Sequence, residues 1–123
     1  MGRLSAPLNP AEVEAEILRL SELLETATKA IRERALNEGN AYVAYKRTYA
    51  SALIQIDGRN REEREAKATL ASIDELQEHR QAAALLTAAQ EAARNLRQQL
   101  SSLQSLASNI RHLLVSGGPG VGG

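Results

Sequence analysis

The sequence predicts an all-α fold: an antiparallel hairpin of two long helices packed in the manner of a coiled coil. Three observations predict it. The chain is rich in Ala, Leu, Glu, Arg and Gln, all strong helix formers. Its apolar residues recur at alternating steps of three and four. A stop signal, Asp57-Gly58, stands just before a second helix start.

Residues 1–8 carry Pro7 and no periodicity, which predicts a flexible arm. Asn9 is a suitable N-cap, Pro10 suits the first helical position, and Glu12 follows the cap by three residues. Val13, Ile17, Leu20, Leu24, Ala27 and Ile31 then form a seam. The seam fails between Arg32 and Asn40, and Gly39 lowers helix propensity, so a kink, stutter or break is expected near Gly39. A stripe resumes with Tyr42, Tyr45, Tyr49, Ala52, Leu53 and Ile56. The expected limits are a helix over 10–56, a turn over 57–60 and a helix over 61–115, together one domain over 9–115. Asn60 and Glu63 mark the second start. Ala66, Leu70 and Ile73 are the expected inward residues of its first part, with Gln77 and Arg80 interrupting the register. Leu86, Ala89, Ala93, Leu96, Leu100, Leu103, Ala107, Ile110 and Leu114 form the most regular stripe of the chain. Ile17, Leu20, Leu24 and Ile31 of the first helix, with Leu96, Leu100, Leu103 and Ile110 of the second, are the candidate helix–helix interface. Residues 116–123 are Gly-rich and uncharged, which predicts a flexible tail.

Composition narrows the function classes. At 123 residues the chain has room for one domain. It contains no Phe, Trp or Cys, and its only aromatic residues are three tyrosines. The core must therefore be built from Leu, Ile and Ala, and neither a disulfide framework nor a thiolate metal site is available. Zero net charge gives no overall field toward nucleic acid or a membrane. No apolar run approaches a membrane span, and no hydrophobic signal core is present, so an intracellular, soluble protein is expected.

Catalytic and metal constellations are absent from the pattern. His79 and His112 lie 33 positions apart in one helix and read as solvent-facing polar residues. The acids Glu62, Glu63, Glu65, Asp74, Glu75 and Glu78 sit at a helix start or beside bases at helical spacing, which a solvated face explains. The glycines of the tail precede neither Lys-Ser nor Lys-Thr, so they do not form a phosphate loop. No catalytic residue, cofactor, metal or small-molecule substrate is expected.

The neutral total hides alternating blocks of charge. Residues 31–61 hold six bases against three acids, whereas residues 62–79 hold six acids against two bases. Across a hairpin such blocks complement each other and help fix register. Tyr45, Lys46 and Arg47 also suit a single-stranded nucleic-acid surface, because rings stack on bases and cations meet phosphates. The tyrosines equally follow core spacing, so helix packing and base contact both fit them. Arg94, Arg97 and Arg111, beyond the last acid at Glu91 and among Gln and Ser residues, form a second candidate face for a phosphate backbone.

Several segments, taken in order, resemble a known group. These are Ala44-Tyr45-Lys46 in the first helix, Glu63-Arg64-Glu65-Ala66 after the turn, and Leu96-Arg97-Gln98-Gln99-Leu100-Ser101-Ser102-Leu103-Gln104-Ser105. Over about residues 12–113 the chain resembles small helical proteins of tailed bacteriophages and prophages encoded near recombination genes. Its layout is similar to that of the UvsY-type recombination mediators. That resemblance implies a helical homo-oligomer that binds single-stranded DNA and works with a recombinase or a single-strand-binding protein. It places Lys46 and Arg47 at the basic position after the Tyr, and Arg94 and Arg97 at the basic positions of the last helix. The expected function is a non-enzymatic accessory to recombination. The alternative is a structural or adaptor coiled coil that acts only through protein–protein contacts.

Overall fold

A computed structural model describes residues 9–116. The expected arm over 1–8 and the glycines of the tail lie outside them. The described residues form three α-helices and no strand: α1 (Pro10–Gln55), α2 (Arg61–Ala71) and α3 (Ile73–Ser116). None of the helices is long and apolar enough to cross a membrane. The chain divides into two units. Of the described residues, unit 1 comprises 9–28 with 92–116, and unit 2 comprises 29–91.

Both helix starts use the signals written in the sequence. The Glu12 amide donates to Asn9 Oδ1 at 2.8 Å, and Asn9 Nδ2 donates to Glu12 Oε1 at 2.9 Å. At α2 the Glu63 amide donates to Asn60 Oδ1 at 2.8 Å, while the Glu63 carboxylate accepts from the Arg59 amide at 3.1 Å. Each cap satisfies N–H groups that a helix start otherwise leaves unpaired. Lys67 ties the turn to α2: its Nζ lies 3.3 Å from Glu63 and donates to the Asp57 carbonyl at 3.0 Å. Gly58 makes a close approach here. A Cβ at that position would sit 2.6 Å from Arg64 Cγ and 3.1 Å from the Arg64 amide nitrogen.

The expected interruption near Gly39 is absent as a break, since α1 is one helix throughout. A single glycine in a helix interior costs only about 1 kcal/mol against alanine, a preference that tertiary context readily overrides. The inward face also persists. After Ile31, Glu38, Ala41, Tyr45, Thr48 and Ala52 are half-buried at the same three-and-four spacing. The gap in the apolar pattern is therefore a polar residue in the seam.

The second helical segment differs more. It is interrupted at Ser72, which separates α2 from α3. Ser72 is fully buried, with φ −112° and ψ 16°. Its amide is shared between the carbonyls of Ala68 (3.1 Å) and Thr69 (3.2 Å), and its hydroxyl donates to Ala68 O at 2.8 Å. A serine that returns its hydroxyl to the preceding turn bends a helix and can be buried without an orphaned polar group. Ala66, Leu70 and Ile73, expected to point inward, are exposed, Leu70 by 72%. The inward residues are instead Glu65, Ala68, Ser72, Glu75, His79 and Ala82, leading without a phase change into Leu86, Ala89 and Ala93. Small and polar residues build the seam there, so a search for large apolar residues selects the wrong face.

In unit 1, Val13, Leu20 and Ala93 are buried, and Ile17, Leu24, Leu96, Leu100, Leu103 and Ile110 are half-buried. In unit 2, Ala68 and Ser72 are buried and Ile31 is half-buried. Leu114, the last residue of the expected stripe, is exposed.

Two outcomes follow from this packing. Leu20→Ala should lower unfolding free energy by about 2–4 kcal/mol, whereas Leu70→Ala should change it by less than about 0.5 kcal/mol, as read by urea denaturation. The bond from the Arg59 amide, and then Lys67, hold the Glu63 carboxyl below its ordinary pKa. Its contribution to stability is thus complete above the range where an unfolded glutamate ionises, and disappears as pH falls through the lowered native value. Glu63→Gln should flatten that acid-side loss in a pH series of thermal melts.

Candidate nucleic-acid interface

Tyr45, Lys46 and Arg47 occupy consecutive positions of α1 in unit 2, so their side chains fan around the helix. Tyr45 is half-buried and tilted against Tyr49, with ring centroids 6.2 Å apart. Tyr42 is exposed and meets the His79 ring edge-on at 5.3 Å. Lys46 Nζ lies 5.7 Å from the Tyr42 centroid and 5.9 Å from that of Tyr45. A cation this close to two ring faces is attracted by their quadrupoles. The tyrosines are thus not bare stacking platforms: Tyr45 lies on the inward face, and each ring has a partner in its own unit. Arg47 is exposed and forms no ion pair among the described residues.

Arg94 and Arg97 lie in unit 1 on α3, so the structure does not place the two pairs of bases in one unit. Both are exposed, and neither forms an ion pair among the described residues. They begin a line on α3: Arg94, Arg97, Ser101, Gln104, Ser108 and Arg111 recur at steps of three and four, and all are exposed, while at its far end Gln104 and Arg111 also line a depression with Glu14 of α1. At ~1.5 Å rise per residue the line is about 25 Å long. It contains three guanidinium groups, three neutral hydrogen-bonding side chains and no acid. Elsewhere the ion pairs of Arg19 with Glu16 and Arg61 with Glu65 neutralise cations locally within a helix. In α3 beyond Glu91 no acid is present to do the same.

The sequence reading missed a polar layer inside unit 2. His79 is not a solvent-facing residue. It is half-buried, and its Nε2 lies 2.8 Å from Glu38 Oε1. Glu38 and His79 each continue the seam of their own helix, and Tyr42 covers the histidine ring. A polar residue at a seam position specifies register at some cost in stability. The signal was present as seven-residue spacing, Ile31 to Glu38 to Tyr45 and Ser72 to His79 to Leu86, but polar side chains at both positions masked it.

A shallow depression of about 130 Å³ in unit 1 is lined by Val13, Glu14, Ile17, Gln104, Ile110 and Arg111 among others. Ligand pockets are typically at least ~300 Å³. Among the described residues no group of His, Asp and Glu is arranged to hold a metal ion.

If Glu38 and His79 act as a register device, Glu38→Ala and His79→Ala should each destabilise the fold by about 1 kcal/mol. Glu38→Leu combined with His79→Leu should restore stability or raise it, with a broader mixture of assembly states in sedimentation profiles. No family model, curated protein or solved structure matches the chain.

Proposed function

We propose that this chain is a non-enzymatic helical protein of a phage or prophage that assembles with copies of itself and binds single-stranded DNA as an accessory to recombination. In this reading α1 and the α2–α3 segment form an antiparallel hairpin. Its support is that the start of α1 lies beside the end of α3 in unit 1, while Glu38 of α1 meets His79 near the start of α3 in unit 2.

The observation that carries the DNA reading is the line from Arg94 to Arg111. Its guanidinium groups are exposed at helical spacing, α3 itself holds no acid beyond Glu91, and Glu14 of α1 approaches only the Arg111 end. Guanidinium groups pair well with phosphate, and Ser and Gln side chains hydrogen-bond phosphate or sugar without selecting a base. A rigid rod about 25 Å long suits several nucleotides of an extended strand. Tyr45 and Lys46 of unit 2 are secondary contacts, since their rings and ammonium group already have partners. A recombinase or single-strand-binding protein is the protein partner this role calls for, and the bacterial cytoplasm is where it would act.

Exposed apolar side chains favour the second reading, an adaptor that works through protein contacts alone. Leu18, Leu113 and Val115 in unit 1 and Leu36, Ile54 and Leu70 in unit 2 all face outward. Fluorescence anisotropy of a labelled oligonucleotide separates the two. The DNA reading predicts binding that weakens as salt rises, with a flatter salt dependence and at least tenfold weaker binding when Arg94, Arg97 and Arg111 are changed together to Ala. Absence of binding at low salt would leave the adaptor reading.

A further inference from the structure

The outer face of α1 in unit 2 carries a second stripe, distinct from the seam. Glu33, Leu36, Asn40, Val43, Arg47, Ala50 and Ile54 recur at steps of three and four, and all seven are exposed. Leu36, Val43 and Ile54 are 65%, 51% and 85% exposed. Large apolar residues aligned on one helix face form a surface suited to another helix.

The order of residues on this stripe identifies the occupant. Asn40 is its midpoint in charge: Glu33 lies seven residues before it and Arg47 seven residues after it. Neither Glu33 nor Arg47 forms an ion pair among the described residues. Leu36 and Val43 flank the same centre. A second α1 laid antiparallel across this point brings Glu33 of each copy to Arg47 of the other, and Leu36 of each to Val43 of the other. Two opposite-charge pairs and two apolar pairs form from one self-complementary patch, as a two-fold interface requires. At the axis the two Asn40 amides meet, and an amide both donates and accepts. Gly39 beside it would have nothing within 4 Å of a Cβ, so there is open space next to the axis for a neighbouring backbone. We infer that a second copy of this chain docks on the outer face of α1, antiparallel and two-fold symmetric about Asn40.

This inference deepens the self-association in the proposed function and rests on it. It also assigns Arg47 to the pairing face rather than to DNA. A parallel arrangement is disfavoured, because it would bring Glu33 to Glu33 and Arg47 to Arg47.

The chain has no cysteine, so a single introduced thiol reports one position. In the full chain, Asn40→Cys should form a covalent dimer under mild oxidation, because the two-fold axis brings the pair within the short Cα separation a disulfide needs. Glu25→Cys, exposed on the same helix but off the stripe, should not. In sedimentation velocity, Glu33→Arg or Arg47→Glu alone should weaken self-association about tenfold or more, and the two together should restore it. Circular dichroism melts of each variant establish that the helices remain intact. An oligomer that neither cross-links at position 40 nor responds to the charge exchange would overturn this interface while leaving self-association standing. A chain that stays monomeric throughout would overturn both.

Discussion

The described helices depend on a line of inward-facing side chains that is regular but thin. It recurs at steps of three and four along α2–α3, and along α1 on either side of the exposed stretch 32–37, and its occupants are mostly half-buried aliphatic, small or polar side chains. Among the described residues only Val13, Leu20, Ala68 and Ala93 are buried apolar residues. Burying apolar area contributes roughly 25 cal/mol per Å², so a seam this narrow supplies little beyond what orders the helices. Two consequences follow. Small changes at the seam carry weight, and the outward apolar residues of α1 and α3 provide area that a lone chain leaves unused.

The thin seam also explains why the polar positions matter. A stripe built only from Leu, Ile and Ala would tolerate sliding by a heptad, since one such layer resembles the next. Glu38 against His79, with Tyr42 over the ring, marks one layer as different from all others. Ser72 acts in a complementary way. Its small side chain is fully buried, and its hydroxyl donates to the Ala68 carbonyl where α2 gives way to α3. Each departs from the apolar rule for inward residues, and each gives the helix pair a definite local geometry. The proposed function then depends on what remains exposed: a cationic line on α3 and a self-complementary stripe on α1.

The fold class was legible because it depends on period, which survives in composition-poor sequences. The caps at Asn9 and Asn60 were legible because capping chemistry is local, fixed by residues three apart. The inward face of α2 was not legible. Its seam residues Glu65, Ala68, Ser72, Glu75 and His79 are small or polar, whereas Leu70 and Ile73 beside them look more like core. The continuity of α1 through Gly39 was masked for the same reason, since Glu38 holds the inward position there. For the candidate interface, the bases of α3 were visible as a run without acids. What the sequence did not show is that the tyrosines of α1 engage Lys46, His79 and one another.

The most direct test of the whole account is the solution mass of the full chain by light scattering, alone and with a short thymidine oligonucleotide. Assembly through helix faces, combined with DNA binding, predicts a mass that is a multiple of 13.3 kDa and that rises further when the oligonucleotide is added. A mass of one chain, unchanged by oligonucleotide at low salt, would contradict it.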